Sequence, residues 1–506
     1  MVAMFLALLL LFASDSPAPA VPAHTDRIDA SVEYQVIENF GASDCWSMQK
    51  LGGWSLKNRE RVADLLFSRE KGAGLSCWRF NVGGGINPRI THSWRTAETF
   101  ETAEGKYDWS RQAGGRWFLQ AAKARGVPQF LAFVNSPPGR MTRNGLTFAD
   151  PGGATTNLKD GYEGQFARYL ADILQHFRDS GEGIRFNYVS PVNEPQWDWI
   201  GHSQEGSRFS NDDIKRVSRS LAAELKQRGL GTEIALVESG GLPDMWQENA
   251  RTRGVYHALY GNYLDDLAGD ESFRGVMAGR IGYHDYQSDR LGTQLLQRRQ
   301  RLAEQMKKYP GWKLWQTEYC VMEGAEGKGG GGRDLTMRTA LDVARLIHVD
   351  LTVANVSAWQ WWTAFSPEDY KDGLIFTDWK KPGDEETICP ARLLWALGNY
   401  SRFVRPGMRR VALAGPKHDL RGVMGSAYKD AAAKTIVAVY VNVSAEAQRL
   451  SLQFDTGRPA WKLRDVTPYI TSDREGDELR QAGPMRSVKD YELPARSVVT
   501  LVARFK

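Results

Sequence analysis

The chain has 506 residues, 42% of them hydrophobic and 25% charged, with a formal net charge of +5 at pH 7. That balance is ordinary for a soluble globular protein with room for one large domain and a smaller second one. Lys and Arg are scattered without a basic run, which leaves no case for nucleic acid as a partner.

Residues 1–13 form an apolar run too short to span a bilayer, and a small-residue pattern follows at Ala18-Pro19-Ala20. Residues 1–20 are therefore expected to be a signal peptide, although no Lys or Arg precedes the run. The mature protein is then expected to be secreted, periplasmic or at the cell surface. No later stretch is long and apolar enough to cross a membrane.

Residues 32–37 alternate as a strand, and from there to Tyr400 short strand-like runs alternate with amphipathic helical ones. The strand candidates end at Asp44, Asn81, Asn135, Glu194, Ser239, Tyr286, Glu318 and Trp362. Helical patterns cover 58–66, 117–124, 163–177, 211–227, 291–307 and 337–353. Eight such repeats predict a closed (β/α)8 TIM barrel over residues 38–402. Beyond it, 436–442, 450–454, 461–466 and 498–505 read as strands with no helix between them. Residues 403–506 are expected to form an appended β-sandwich, joined by the 30–37 strand. No Pro/Ser-rich linker separates the two, so tight packing is expected; the protein is also expected to be a monomer. Cys45, Cys77, Cys320 and Cys389 lack CxxC or CxxH spacing, and free buried thiols are expected.

Reactive groups of such a barrel lie at the C-terminal ends of its strands. Glu194 closes the fourth strand and Glu318 the seventh, which face one another across the mouth. Alone, each would read as a solvated loop acid. Together they supply the acid and the nucleophile or base that cleavage of a glycosidic bond requires. The 17 Trp, 18 Tyr and 20 Phe supply flat rings for stacking on sugars, though most belong to packing. Glu238 also ends a strand, but the fifth strand neighbours the fourth and has the wrong geometry for a rival nucleophile. The loop 324–332 lacks the Gly-Lys-Ser/Thr ending of a phosphate-binding loop and reads as a flexible flap over the substrate. His284 has no helix-spaced partner, so neither a metal nor another cofactor is expected.

Asn193-Glu194-Pro195 with Glu318 resembles the catalytic signature of the large (β/α)8 clan of retaining glycosidases. The run from Ile37 to Asp44 and the closing segment from Ala396 to Gly407 resemble glycoside hydrolase family 30. The run from Asp44 to Gln49 is most similar to that family's endo-β-1,6-galactanase-like branch. The resemblance implies Glu194 as general acid/base, Glu318 as nucleophile, Arg79 as an ion partner of Glu318, and Tyr286 as its hydrogen-bond donor. Asn193, Asn135, Asp44, Trp46, Trp359 and Trp362 are further candidates for binding a polysaccharide or oligosaccharide substrate. Trp197, Trp199, His202 and Glu205 are candidates for outer contacts. The same chemistry on another β-glycan, such as β-1,6-glucan, xylan or a fucoside, and a catalytically silent carbohydrate-binding protein remain open alternatives.

Overall fold

The computed structural model describes residues 23–379, 386–415 and 419–506; the expected signal peptide lies outside them. Eight parallel strands form a barrel: Asn39–Ser43, Cys77–Asn81, Gln129–Phe133, Tyr188–Ser190, Leu236–Ser239, Arg280–His284, Lys313–Glu318 and Ala358–Ser366. The fifth strand closes it. Its lead-in Glu233–Ile234 pairs with the fourth strand, and Leu236–Ser239 pairs with the sixth. The Ala235 amide, between the two segments, donates to the Val189 carbonyl at 2.9 Å. The predicted TIM barrel is the fold of this region.

A helix follows each strand, from Leu56–Phe67 after the first to Arg392–Ser401 after the eighth. These helices are amphipathic for a visible reason. In Glu163–Asp179 the buried positions Phe166, Leu170, Ile173, Leu174 and Phe177 recur at helical spacing. Asn211–Gln227 starts at a capping box in which Ser210 and Asp213 exchange side-chain and backbone hydrogen bonds. The barrel interior is partly polar at its lower level, where buried amides pair across neighbouring strands. Gln360 Nε2 donates to Asn39 Oδ1 at 2.9 Å, and Asn39 Nδ2 donates to Gln129 Oε1 at 2.9 Å.

The second domain is all-β. Nine strands form one sheet, and its apolar residues, among them Ile28, Val411, Ile436, Leu450, Val499 and Leu501, share a separate core. The segment before the barrel, Ala23–Val36, is one of the nine; it runs antiparallel to Arg409–Ala414 and parallel to Gln448–Asp455. The chain therefore enters and leaves the barrel through this domain. Helix Arg392–Ser401 fastens the two units, since Asn399 Nδ2 donates to Thr500 Oγ1 at 2.9 Å and Thr500 Oγ1 donates to the Asn399 carbonyl at 2.6 Å. Cys45, Cys77 and Cys320 are free and buried, whereas Cys389 is only half-buried. Among the described residues no helix is long and apolar enough to cross a membrane.

Candidate active site

Glu194 and Glu318 meet at the C-terminal mouth of the barrel. One oxygen of each, with a ring nitrogen of His284, lie within 4.8 Å of one another. A cleft of about 360 Å³ opens onto both carboxylates and is also lined by Asn193, Trp199, Tyr286 and Trp362. Glu194 sits in the left-handed backbone region, at φ 45°. Such a conformation persists only where the surroundings enforce it. Here the Glu194 amide donates to the Glu238 carbonyl at 2.8 Å, and Trp199 Nε1 donates to the Glu194 carbonyl at 3.0 Å. Gly240 leaves room for this turn, because a Cβ there would overlap Trp197 and lie 2.9 Å from the Glu194 carboxyl carbon.

Beneath the mouth, Arg79 is fully buried and holds two acids at once. Its Nη1 donates to Glu318 Oε2 and its Nη2 to Glu238 Oε2, both at 2.7 Å, while its guanidinium lies 4.0 Å over the Phe133 ring. Tyr286 Oη donates to Glu318 Oε1 at 2.8 Å. His284 joins the acids from the other side: Nδ1 is 2.9 Å from Glu194 Oε1 and Nε2 is 3.2 Å from Glu238 Oε2. Ser190 Oγ donates to the second oxygen of Glu238 at 2.7 Å.

This arrangement sorts the charges. Burial works against a charged imidazole, yet Glu318, Glu194 and Glu238 hold the His284 pKa up at about 9. Burial also opposes ionisation of Glu238, but Arg79, His284 and Ser190 bring it down to about 2. Glu194 is shifted upward by burial and by the charge of Glu318, against the pull of His284. The two cations Arg79 and His284 thus lie among three acids, of which Glu238 is pulled down and Glu194 pushed up.

Several candidate residues stand elsewhere than the sequence reading put them. Trp359 is fully buried on the outer side of its strand, where its Nε1 donates to Asp350 Oδ2 at 2.9 Å. Strand alternation turns Gln360 and Trp362 inward and sends Trp359 and Trp361 outward, so only Trp362 reaches the cleft. Asp44 and Asn135 lie under the site rather than in the cleft wall. Asp44 Oδ1 accepts from the Asn81 amide at 2.8 Å, and burial raises its pKa to about 8. Asn193 Nδ2 donates to Asn135 Oδ1 at 3.1 Å, and Asn135 Nδ2 to Asn81 Oδ1 at 2.9 Å, an amide relay that orients Asn193. Trp46 is 2% exposed and supports Trp362 edge-on at 5.5 Å, with its Nε1 donating to buried Glu205 at 3.2 Å. His202 is exposed. The loop 324–332 is pinned rather than free: Gly331 bridges Tyr370, and the Lys371 amide donates to the Gly330 carbonyl at 2.8 Å.

Comparison with known proteins agrees with this geometry. The chain is 26% identical over 497 residues to an endo-beta-1,6-galactanase of Hypocrea rufa, covering 92% of each sequence. It superposes on a conserved exported protein from Bacteroides fragilis with a TM-score of 0.84 and 32% identity, over 94% of this chain and all of that one. The catalytic domain of a xylanase from Talaromyces cellulolyticus shares the fold, with a TM-score of 0.66 and 22% identity over 95% and 99% of the two chains. The family model described as O-Glycosyl hydrolase family 30 matches residues 23–376. Because that match takes in the leading strand and nearly the whole barrel, the protein belongs to O-glycosyl hydrolase family 30 and is a glycosidase of β-glycans.

Proposed function

We propose that the protein is a secreted, retaining endo-β-1,6-galactanase in which Glu318 is the nucleophile and Glu194 the acid/base. The observation that carries the retaining mechanism is the approach of the two carboxylates, whose nearest oxygens lie within 4.8 Å. Retaining pairs stand about 5–5.5 Å apart, whereas inverting pairs leave about 6.5–9.5 Å for a water. The galactan reading draws on the relatedness to the Hypocrea rufa enzyme along nearly the whole chain. Export rests on residues 1–20 alone.

In the first step an oxygen of Glu318 attacks the anomeric carbon, while Glu194 gives its proton to the departing glycosidic oxygen. The bond to the leaving sugar breaks and a glycosyl ester to Glu318 forms. In the second step the ionised Glu194 takes a proton from water, whose oxygen displaces Glu318 and restores both groups. Arg79 and Tyr286 hold Glu318 in place for attack. His284 stabilises the negative charge that Glu194 acquires when it delivers its proton.

The test is product analysis on β-1,6-galactan, β-1,6-glucan and xylan, with the anomer of the first products read by NMR. β-Anomers released from galactan in preference to the others are expected. α-Anomers would overturn the retaining mechanism, and release from another polymer would replace the galactan. Glu318→Gln is expected to abolish turnover while leaving the melting temperature near that of the wild type.

A further inference from the structure

Two charged side chains in the catalytic cleft take no part in the carboxylate network. Arg95, on the loop after the second barrel strand, and Asp372, on the turn after the eighth, line the cleft together with Glu194 and Glu318. Asp372 is 2% exposed, and its Oδ1 has no hydrogen-bond partner. Arg95 Nε is buried without an acceptor, and Arg95 Nη1 donates to Gln204 Oε1 at 3.2 Å. No ion pair joins Arg95 to Asp372 among the described residues, yet the charge of Arg95 is felt at Asp372, Cys320 and Tyr370.

Both groups are fixed from behind. Trp361 Nε1 donates to the Asp372 carbonyl at 2.7 Å, and the preceding Lys371 is tied to the glycine-rich loop through Gly330. The Arg95 guanidinium lies 5.1 Å over the Trp94 ring. Buried donors and acceptors are nearly always satisfied, and leaving one without a partner is costly. Asp372 and Arg95 thus bring an acceptor and a donor, each with an open valence, to the wall of one cleft.

We propose that Arg95 and Asp372 form a sugar-selecting subsite, in which hydroxyl groups of a neutral hexopyranose donate to the Asp372 carboxylate and accept from the Arg95 guanidinium. A sugar hydroxyl suits the pair because it donates and accepts at once. A uronate carboxylate would meet Asp372 as a like charge, and a sugar lacking the hydroxyl would leave both groups without it. Trp362, 7% exposed and braced by Trp46, supplies an apolar ring in the same cleft. The inference rests on the glycosidase reading of this cleft but is independent of which β-glycan is cleaved.

The experiment compares kcat/KM on β-1,6-linked galacto- and gluco-oligosaccharides, epimers that differ in one hydroxyl, for wild type, Asp372→Asn and Arg95→Lys. Asp372→Asn is nearly isosteric, and melting temperatures control for folding. The wild type is expected to favour one epimer, and each variant to lose about 10²-fold on it and far less on the other. Equal losses on both epimers, or an unchanged ratio, would overturn the subsite. Wild-type silence on both would sink the galactan reading alone. The subsite is then read by calorimetric binding of galactose and glucose, and identical Kd values in wild type and Asp372→Asn would overturn it.

Discussion

His284 Nδ1 stands 2.9 Å from Glu194 Oε1, which places a buried cation directly against the carboxyl proposed as the acid/base. The contact has a definite sign. Burial and the charge of Glu318 raise the Glu194 pKa, and His284 opposes them. Replacing His284 with Gln removes the opposing cation, so Glu194 should titrate at higher pH. The alkaline limb of kcat/KM is expected to move upward, and kcat near neutrality to fall about 10²-fold as the weakened acid protonates its leaving group less readily. Aryl glycosides with good leaving groups should lose least. A pH–rate profile of His284→Gln with an unmoved alkaline limb would show that Glu194 does not sense the imidazole.

Trp362 and Trp359 should respond in opposite ways to substitution. Trp362→Ala removes a ring from the cleft and is expected to raise KM about tenfold or more, which corresponds to about 1.4 kcal/mol of lost binding. Trp359→Phe leaves the cleft untouched but takes a donor from Asp350, a buried acid also paired with Arg299 at 2.8 Å. Its expected effect is a stability loss of about 1–3 kcal/mol with kcat and KM near wild type. Denaturant midpoints and steady-state kinetics on both variants check the assignment.

That pair also marks what the amino-acid pattern reveals. The strand ends carry their own chemistry, so Glu194 and Glu318 could be placed from barrel rules, whereas Arg79 and Tyr286 follow from the family resemblance. Trp359-Gln360-Trp361-Trp362 could not be phased by hydrophobicity, because three of its four residues are equally apolar; the buried Gln360 was the clue to which side faces inward. Glu238 and His284 were visible as strand-end residues, but each was judged for a single role, as rival nucleophile or as metal ligand. Their actual partners lie on different strands, Arg79 on the second and Glu194 just beyond the fourth, and only the closed barrel brings these together. Arg95 and Asp372 sit on irregular loops, where no period connects sequence to direction.

The glycine-rich loop should tolerate little at Gly330. A Cβ there would overlap the Val321 carbonyl oxygen and the Tyr370 ring, and backbone on one side cannot yield as a flexible side chain would. Because Tyr370 lines the cleft and Lys371 hangs on the Gly330 carbonyl, the displacement should reach the substrate. Gly330→Ala is expected to destabilise the protein by about 1–3 kcal/mol and to raise KM more than it lowers kcat. Gly331→Ala is the control, since a Cβ at that position meets nothing within 4 Å. Equal kinetics for the two variants would remove the loop from substrate binding.

The opposite end of the barrel carries stability rather than chemistry. Glu38, 8% exposed just before the first strand, accepts from Arg280 at 3.0 and 3.2 Å, from Lys313 Nζ at 2.6 Å and from Trp315 Nε1 at 2.6 Å. These contacts tie the start of the first strand to the starts of the sixth and seventh. Burial opposes the charge of Glu38, but Arg280, Lys313 and Trp315 outweigh it and hold its pKa below the ordinary 4.5. A carboxylate whose folded pKa is depressed stabilises the fold fully above the unfolded value and loses that contribution as pH falls through the folded one. Glu38→Gln should therefore cost about 3 kcal/mol at pH 7, with a deficit that shrinks as pH falls below 4.5 and through the depressed folded pKa, where the folded wild type also sheds its charge. Urea unfolding of both proteins at neutral and acidic pH measures it, and a deficit that grew on acidification would contradict the sign derived from the depressed pKa.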